Sequence, residues 1–291
     1  MSQRLYILLT VCTLCFGAAR AQLLYEITGN GAAAPSYLLG TNRMTDIRFL
    51  DTIPNVFTVY GRCNKVVTEF SFEDYEALNT LRQAALLPDS VRLHDYFTDE
   101  EYDALDRALL STIGMGMEQL GRMKPAYLSE LYRTELLTRA LLYNPERSME
   151  SFFEHVAQQS DIPVYGLDNV GETMYMLFDR EPFEWQCTEL KRMLTHPERE
   201  VQQEEEMAAM YRNGRLNDMV YLVLSPDNQS SLSYSDYQVF AQRNEQWGKR
   251  LQPYLKDGKA FITLNALYLG GEKGLIAVLR KNGYRVKKVN S

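Results

Sequence analysis

Histidine is scarce in this chain, with three in 291 residues, at positions 94, 155 and 196. No two of them stand at i, i+2 or i, i+4, so no local zinc-ligand spacing exists. His155, inside Phe152-Phe153-Glu154-His155-Val156-Ala157, reads as an ordinary helix histidine. Cysteine is scarce too: four residues exclude a disulfide scaffold. Two of the four, Cys12 and Cys15, precede residue 22. Cys63 and Cys187 are 124 positions apart, far enough that sequence leaves both pairing and separate burial open. Neither has a histidine nearby in sequence, so the signature of a cysteine nucleophile is missing. The chain lacks G-x-G-x-x-G, a P-loop, G-x-S-x-G and H-E-x-x-H. Basic residues are outnumbered 31 to 38, for a formal charge of −7, which argues against a nucleic-acid partner held by phosphate contacts. After residue 21 no apolar run is long enough to span a bilayer.

What is present is a globular composition, 45% hydrophobic and 24% charged. It is preceded by an export pattern. Arg4 leads into an apolar run over residues 5–17, and Ala19-Arg20-Ala21 follows as an A-x-A cleavage site. Cys12 follows Leu9-Thr10-Val11, but Val11 fits poorly the small residue expected before a lipidated cysteine. Cleavage after Ala21 leaves 270 residues from Gln22, and losing Arg4 and Arg20 with no acid takes the charge from −7 to −9. The expectation is a signal peptide over 1–21, one domain over 22–291, and a periplasmic or extracellular location. Asn228-Gln229-Ser230 matches a glycosylation sequon.

Short β-branched and apolar runs predict strands at 23–27, 36–40, 65–70, 162–167, 260–264 and 284–289, the first two joined as a hairpin. The mid-chain run 162–167 reads as a buried strand. Helical spacing predicts helices near 53–60, 74–86, 98–113, 124–142, 148–159, 170–180, 183–210, 214–224, 234–255 and 274–282. Thr98-Asp99-Glu100-Glu101 is a capping box. The charged run 198–206 reads as a solvated helix face, and Trp247 as a core anchor. Strands lie at both ends and mid-chain, so the sheet forms only when the ends meet. The fold class expected is α/β (α+β): a central mixed sheet with a large helical insertion and flanking helices.

Six landmarks in order resemble the TraB/GumN family, which includes the TIKI proteases. They are Tyr37-Leu38-Leu39-Gly40-Thr41, Val66-Val67-Thr68-Glu69, Met123-Lys124-Pro125, Pro163-Val164-Tyr165-Gly166-Leu167-Asp168, Arg243-Asn244-Glu245-Gln246-Trp247, and the closing stretch from Leu267-Tyr268-Leu269-Gly270-Gly271 to Gly283-Tyr284-Arg285-Val286. The resemblance implies a metal-dependent hydrolase, in which two G-x-x-H motifs at strand ends join a glutamate, here Glu69, around a divalent ion that activates water.

This chain departs from the pattern at both histidines. The first motif reads Gly40-Thr41-Asn42-Arg43, and arginine has no lone pair for a metal. The second reads Asn265-Ala266-Leu267-Tyr268. The expectation is therefore a catalytically degenerate relative with no cofactor. It would bind a peptide, protein or small-molecule ligand in a cleft formed by Asn42, Arg43, Asp168, Arg243, Asn244, Asn265 and Tyr268, with Arg43 paired to Glu69. Glu69 is the catalytic candidate if activity survives. The alternative keeps a metal peptidase, with Glu69, Asp168 and Tyr268 offering oxygen ligands to Zn, Mn or Co. A third reading is metal-free acid/base hydrolysis by Glu69 with Asp168 or Tyr268.

Overall fold

Both ends of the chain meet in one mixed sheet in a computed structural model that describes residues 22–71, 75–224 and 234–289. The expected export segment and the Asn228 sequon lie outside the described residues. The strands are β1 (Leu24–Gly29), β2 (Ser36–Thr41), β3 (Lys65–Thr68), β4 (Val164–Gly166), β5 (Ala260–Asn265) and β6 (Tyr284–Lys288). Their order is β4-β3-β5-β2-β1-β6. β4, β3, β5 and β2 run parallel, while β1 pairs antiparallel with β2 and β6. The α/β expectation holds, with every strand near its expected place.

β2 is buried at all six positions and β5 at its first five. A strand buried at successive residues has both faces covered, which is why these segments read as continuous apolar runs. On one face Phe153, fully buried, packs its ring 4.6 Å from Phe261 and 5.0 Å from Tyr60, fixing the Met149–Gln159 helix to the sheet. Burying one such aromatic contributes roughly 1.5–3 kcal/mol. β4 departs from expectation. It is a three-residue edge strand, and Tyr165 is 39% exposed. Pro163, which has no N–H to give a ladder, is tolerated beside an edge, and its carbonyl still accepts from Val66.

The long insertion folds around its own core, with Leu93, Leu105, Leu109, Leu128, Tyr132, Leu190 and Met193 at its centre. Thr98 caps the Asp99–Ile113 helix with the reciprocal Glu101 bond of a capping box. Pro125 sits at the first turn of Pro125–Ala140, where its missing N–H costs nothing. Prolines also split two helices expected to be continuous. The 183–210 stretch breaks into Phe183–Thr195 and Pro197–Arg212, and 234–255 into Tyr234–Arg250 and Gln252–Asp257. The helix expected at 170–180 begins as Val170–Met174 and continues as one π-helical stretch, Tyr175–Asp179.

The charged run 198–206 is not simply a solvated face. Glu200 is 5% exposed and holds Arg133 at 2.9 Å and Arg192 at 3.0 Å, linking three helices. Cys63 and Cys187 are both free. Burial pushes each thiol up to about 12, so neither is a ready nucleophile.

Two glycines of the landmark motifs serve close backbone approach. A Cβ on Gly274 would lie 1.9 Å from the Gly270 carbonyl oxygen, and one on Gly40 2.9 Å from Leu269. The segment after β5 can fold back against β2 only because these side chains are missing.

Candidate functional site

The four parallel strands deliver their carboxyl ends to one edge of the sheet. Asn42 and Arg43 follow β2, Glu69 follows β3, Asp168 lies two residues beyond β4, and Asn265 ends β5. Open α/β sheets place their sites at this edge because the loops there converge while the strands hold them rigid. The register brings Thr41 opposite Asn265 and Thr68 opposite Gly166. Backbone bonds from Leu167 to Thr68 (2.9 Å) and from Asp168 to Glu69 (2.8 Å) carry the pairing past the strand ends.

Arg243 is the centre of the cluster. It projects from Tyr234–Arg250, and its Nη2 donates to Asp168 Oδ2 at 2.6 Å and to Glu69 Oε2 at 3.3 Å. Its Nε also donates to Asp168 Oδ2, at 3.0 Å. Four residues along the same helix face, Trp247 donates its indole N–H to Asp168 Oδ1 at 2.6 Å. The guanidinium carbon lies 4.3 Å from the Trp247 ring and 4.7 Å from the Tyr268 ring. An arginine held between two aromatic faces gains cation–π attraction while its edge stays free for carboxylates. Burial pulls Arg243 down, but Tyr268, Glu69 and Asp168 together hold it above its ordinary value.

The remaining oxygen of Glu69 is also engaged. Oε1 accepts from the backbone N–H of Asn265 at 2.7 Å. Burial pushes the Glu69 carboxyl up, and Arg243 and this N–H pull it back. The Asn265 side chain bonds a second carboxyl, Glu150, in the first turn of Met149–Gln159. Glu150 is raised to about 7, by burial first and then by the Glu69 charge, with Arg43 opposing. Asn265 thus stands between two carboxyls that repel each other's ionised forms. Glu150 carries no signal of its own in the sequence, because an acid in a first turn is ordinary dipole chemistry. Trp247 did carry a signal, its i+4 spacing from Arg243.

The expected Arg43–Glu69 pair does not form. Arg43, about half exposed, pairs with Glu130 on Pro125–Ala140, and its charge also acts on Glu150 and Glu204. Glu69 is served instead by Arg243, whose helix crosses the strand ends. Asn42 is spent on its own turn, its Oδ1 accepting from Met44 N at 2.9 Å and Thr45 Oγ1 at 3.1 Å. Asn244 is fully buried, and both polar atoms of its side chain lack a hydrogen-bond partner. The structure therefore gathers Glu69, Asp168, Arg243, Asn265 and Tyr268, adds Glu150 and Trp247, sets Arg43 to one side, and gives Asn42 and Asn244 other surroundings.

The metal implied by the two histidine motifs does not fit these donors. Arg43 and Tyr268 stand at the histidine positions. The Tyr268 phenol is pushed up by burial, which keeps its proton on, and its ring lies against a cation. Both Glu69 oxygens already accept N–H donors. Among the described residues no group of three or more His, Cys, Asp or Glu could hold a metal ion.

An open, mostly parallel sheet with a charged cluster at its carboxyl edge places the protein in the α/β class that builds sites from strand-end loops. The sequence model of the TraB/PrgY/gumN family matches residues 23–288, and the chain belongs to that family. No curated protein and no solved structure gives a match.

Proposed function

We propose that this is an exported TraB/PrgY/gumN-family protein that acts by binding rather than by metal-dependent hydrolysis. The carrying observation is that Arg243 occupies the centre beside Glu69, where the family resemblance implies a cation. A guanidinium fixed between Asp168 and Glu69 is never deprotonated, so the pocket has a permanent cation at its centre. Arg43, at the position of a motif histidine, faces acids of the helical insertion and not Glu69. That geometry favours a ligand held between the strand edge and the insertion. The N-terminal export pattern supports a periplasmic or extracellular location.

Calorimetric titration of chelator-treated protein with Zn, Mn and Co tests the reading. No stoichiometric binding is expected. Stoichiometric uptake that Glu69→Gln abolishes would overturn it in favour of a metallohydrolase with altered ligands. Fractionation of the host cells tests export: retention of the uncleaved chain in the cytoplasm would remove that part.

A further inference from the structure

One opening in the molecule lies away from Glu69. A cavity of about 780 Å³ lies within the helical insertion, between Pro125–Ala140, the π-helical Tyr175–Asp179, Phe183–Thr195, Pro197–Arg212 and Leu216–Leu224. It adjoins the strand-edge cluster at two points. Glu130 and Glu204 line it and face Arg43, while Arg180 lines it and acts on the Tyr268 phenol. A π-helical turn inserts an extra residue into a helix and is common where a helix wall has been shaped for a ligand. Here that turn puts Met176, Leu177 and Phe178 on the wall. Leu177 is 48% exposed, and Trp185, Met207 and Leu222 extend the apolar side.

The polar side is acidic. Six glutamates line the cavity against four arginines. Arg133 is held by the buried Glu200, Arg192 is shared between Glu200 and Glu189, and Arg180 is bridged to Glu181 at 3.1 Å. Glu204 is different: its Oε1 is buried with no hydrogen-bond partner. Burial raises this carboxyl to about 6, with Arg43 and Arg133 opposing and Glu130 adding to the rise. A buried carboxylate left short of donors is costly, and a cation brought alongside it would relieve that cost.

We infer that this cavity binds a peptide segment carrying a lysine or arginine beside an apolar residue. The cation would offset Glu204, with Glu130 and Glu206 near it on the acidic side, and the neighbouring residue would cover Leu177 and Trp185. An acidic or neutral ligand of the same shape would leave Glu204 uncompensated. The inference goes beyond the binding reading above by assigning a ligand class to a separate cavity, and it rests on that reading only in taking the protein as a binder.

Calorimetry with the full-length mature protein tests it, using acetylated Leu-Arg-Leu-amide and the same peptide with citrulline or glutamate in place of arginine. Citrulline keeps the size and loses the charge. The arginine peptide is expected to bind at least about ten-fold more tightly than the citrulline peptide, a gap of roughly 1.4 kcal/mol. Glu204→Gln is expected to close that gap, and Trp185→Ala to weaken both peptides together. Equal binding of the arginine and citrulline peptides, tighter binding of the glutamate peptide, or no binding of any of them to the unaltered protein would overturn the proposal. Metal uptake at Glu69 would overturn the reading in the preceding section without touching this comparison of peptides.

Discussion

Two nitrogens of Arg243 converge on a single oxygen of Asp168, at 2.6 and 3.0 Å, and the other Asp168 oxygen accepts from Trp247. The Asp168 side chain is only 3% exposed, and besides these donors it has Arg250 Nη1 at 3.6 Å from Oδ1. The arrangement fixes the Tyr234–Arg250 helix over the ends of β3 and β4.

Removing the guanidinium therefore takes the cation from Glu69 and leaves Asp168 with only the more distant Arg250. Arg243→Ala should lower the stability of the fold by about 3–5 kcal/mol, the range for breaking a buried ion pair from one side. Arg243→Lys keeps the charge but not the planar fork, and should fall between the two. Urea denaturation followed by circular dichroism measures both. A midpoint for Arg243→Ala equal to that of the unaltered protein would show that Glu69 and Asp168 are held by other means.

Trp247→Phe separates packing from hydrogen bonding at the same carboxylate. The ring still fills most of the fully buried site, but Asp168 Oδ1 loses its 2.6 Å donor. The expected cost is about 1–3 kcal/mol. Pairing this variant with Arg243→Lys in a double-mutant cycle should give non-additive losses, since both residues serve one carboxylate.

Glu150 gives stability a pH dependence. Its folded value, about 7, lies above the ordinary carboxyl value of 4.5, so the folded protein holds this proton more tightly than the unfolded chain does. The stabilising contribution is complete below about pH 4.5 and is lost as pH rises through 7. Glu204, raised to about 6, acts in the same direction. Glu150→Gln should match the unaltered protein near pH 4 and exceed it near pH 8 by roughly 1–3 kcal/mol. Denaturation midpoints across pH 4–8 measure this. A constant offset between the two proteins over that range would place the titrating group elsewhere.

Glu200 ties Pro125–Ala140 and Phe183–Thr195 to Pro197–Arg212, and its side chain is 4% exposed. Glu200→Ala takes the partner from Arg133 and leaves Arg192 with Glu189 alone, and it should loosen the insertion more than the sheet. Hydrogen exchange should rise in those three helices by one to two orders of magnitude, while β2 and β5, buried at almost every position, keep their protection. Equal loss of protection in the sheet would mean that insertion and sheet unfold as one unit.

The strands, most helices and their order were legible in the sequence because they depend on local chemistry. Period-two and continuous apolar runs mark the strands, helical spacing and the Thr98 capping box mark the helices, and the two internal prolines that split helices were also there to be read. Glu69, Asp168, Arg243, Asn265 and Tyr268 could be singled out from the landmarks, and they do converge. Which charge neutralises which was not legible. Arg43 and Arg243 are equally cationic in sequence. Only the crossing of Tyr234–Arg250 over the strand ends gives Glu69 to Arg243, and only the position of Pro125–Ala140 gives Arg43 to Glu130. Glu150, Glu200 and Glu204 looked like surface acids for the same reason. Ion pairing and burial depend on distances of a few ångströms between segments far apart in the chain, and local pattern carries no record of those distances.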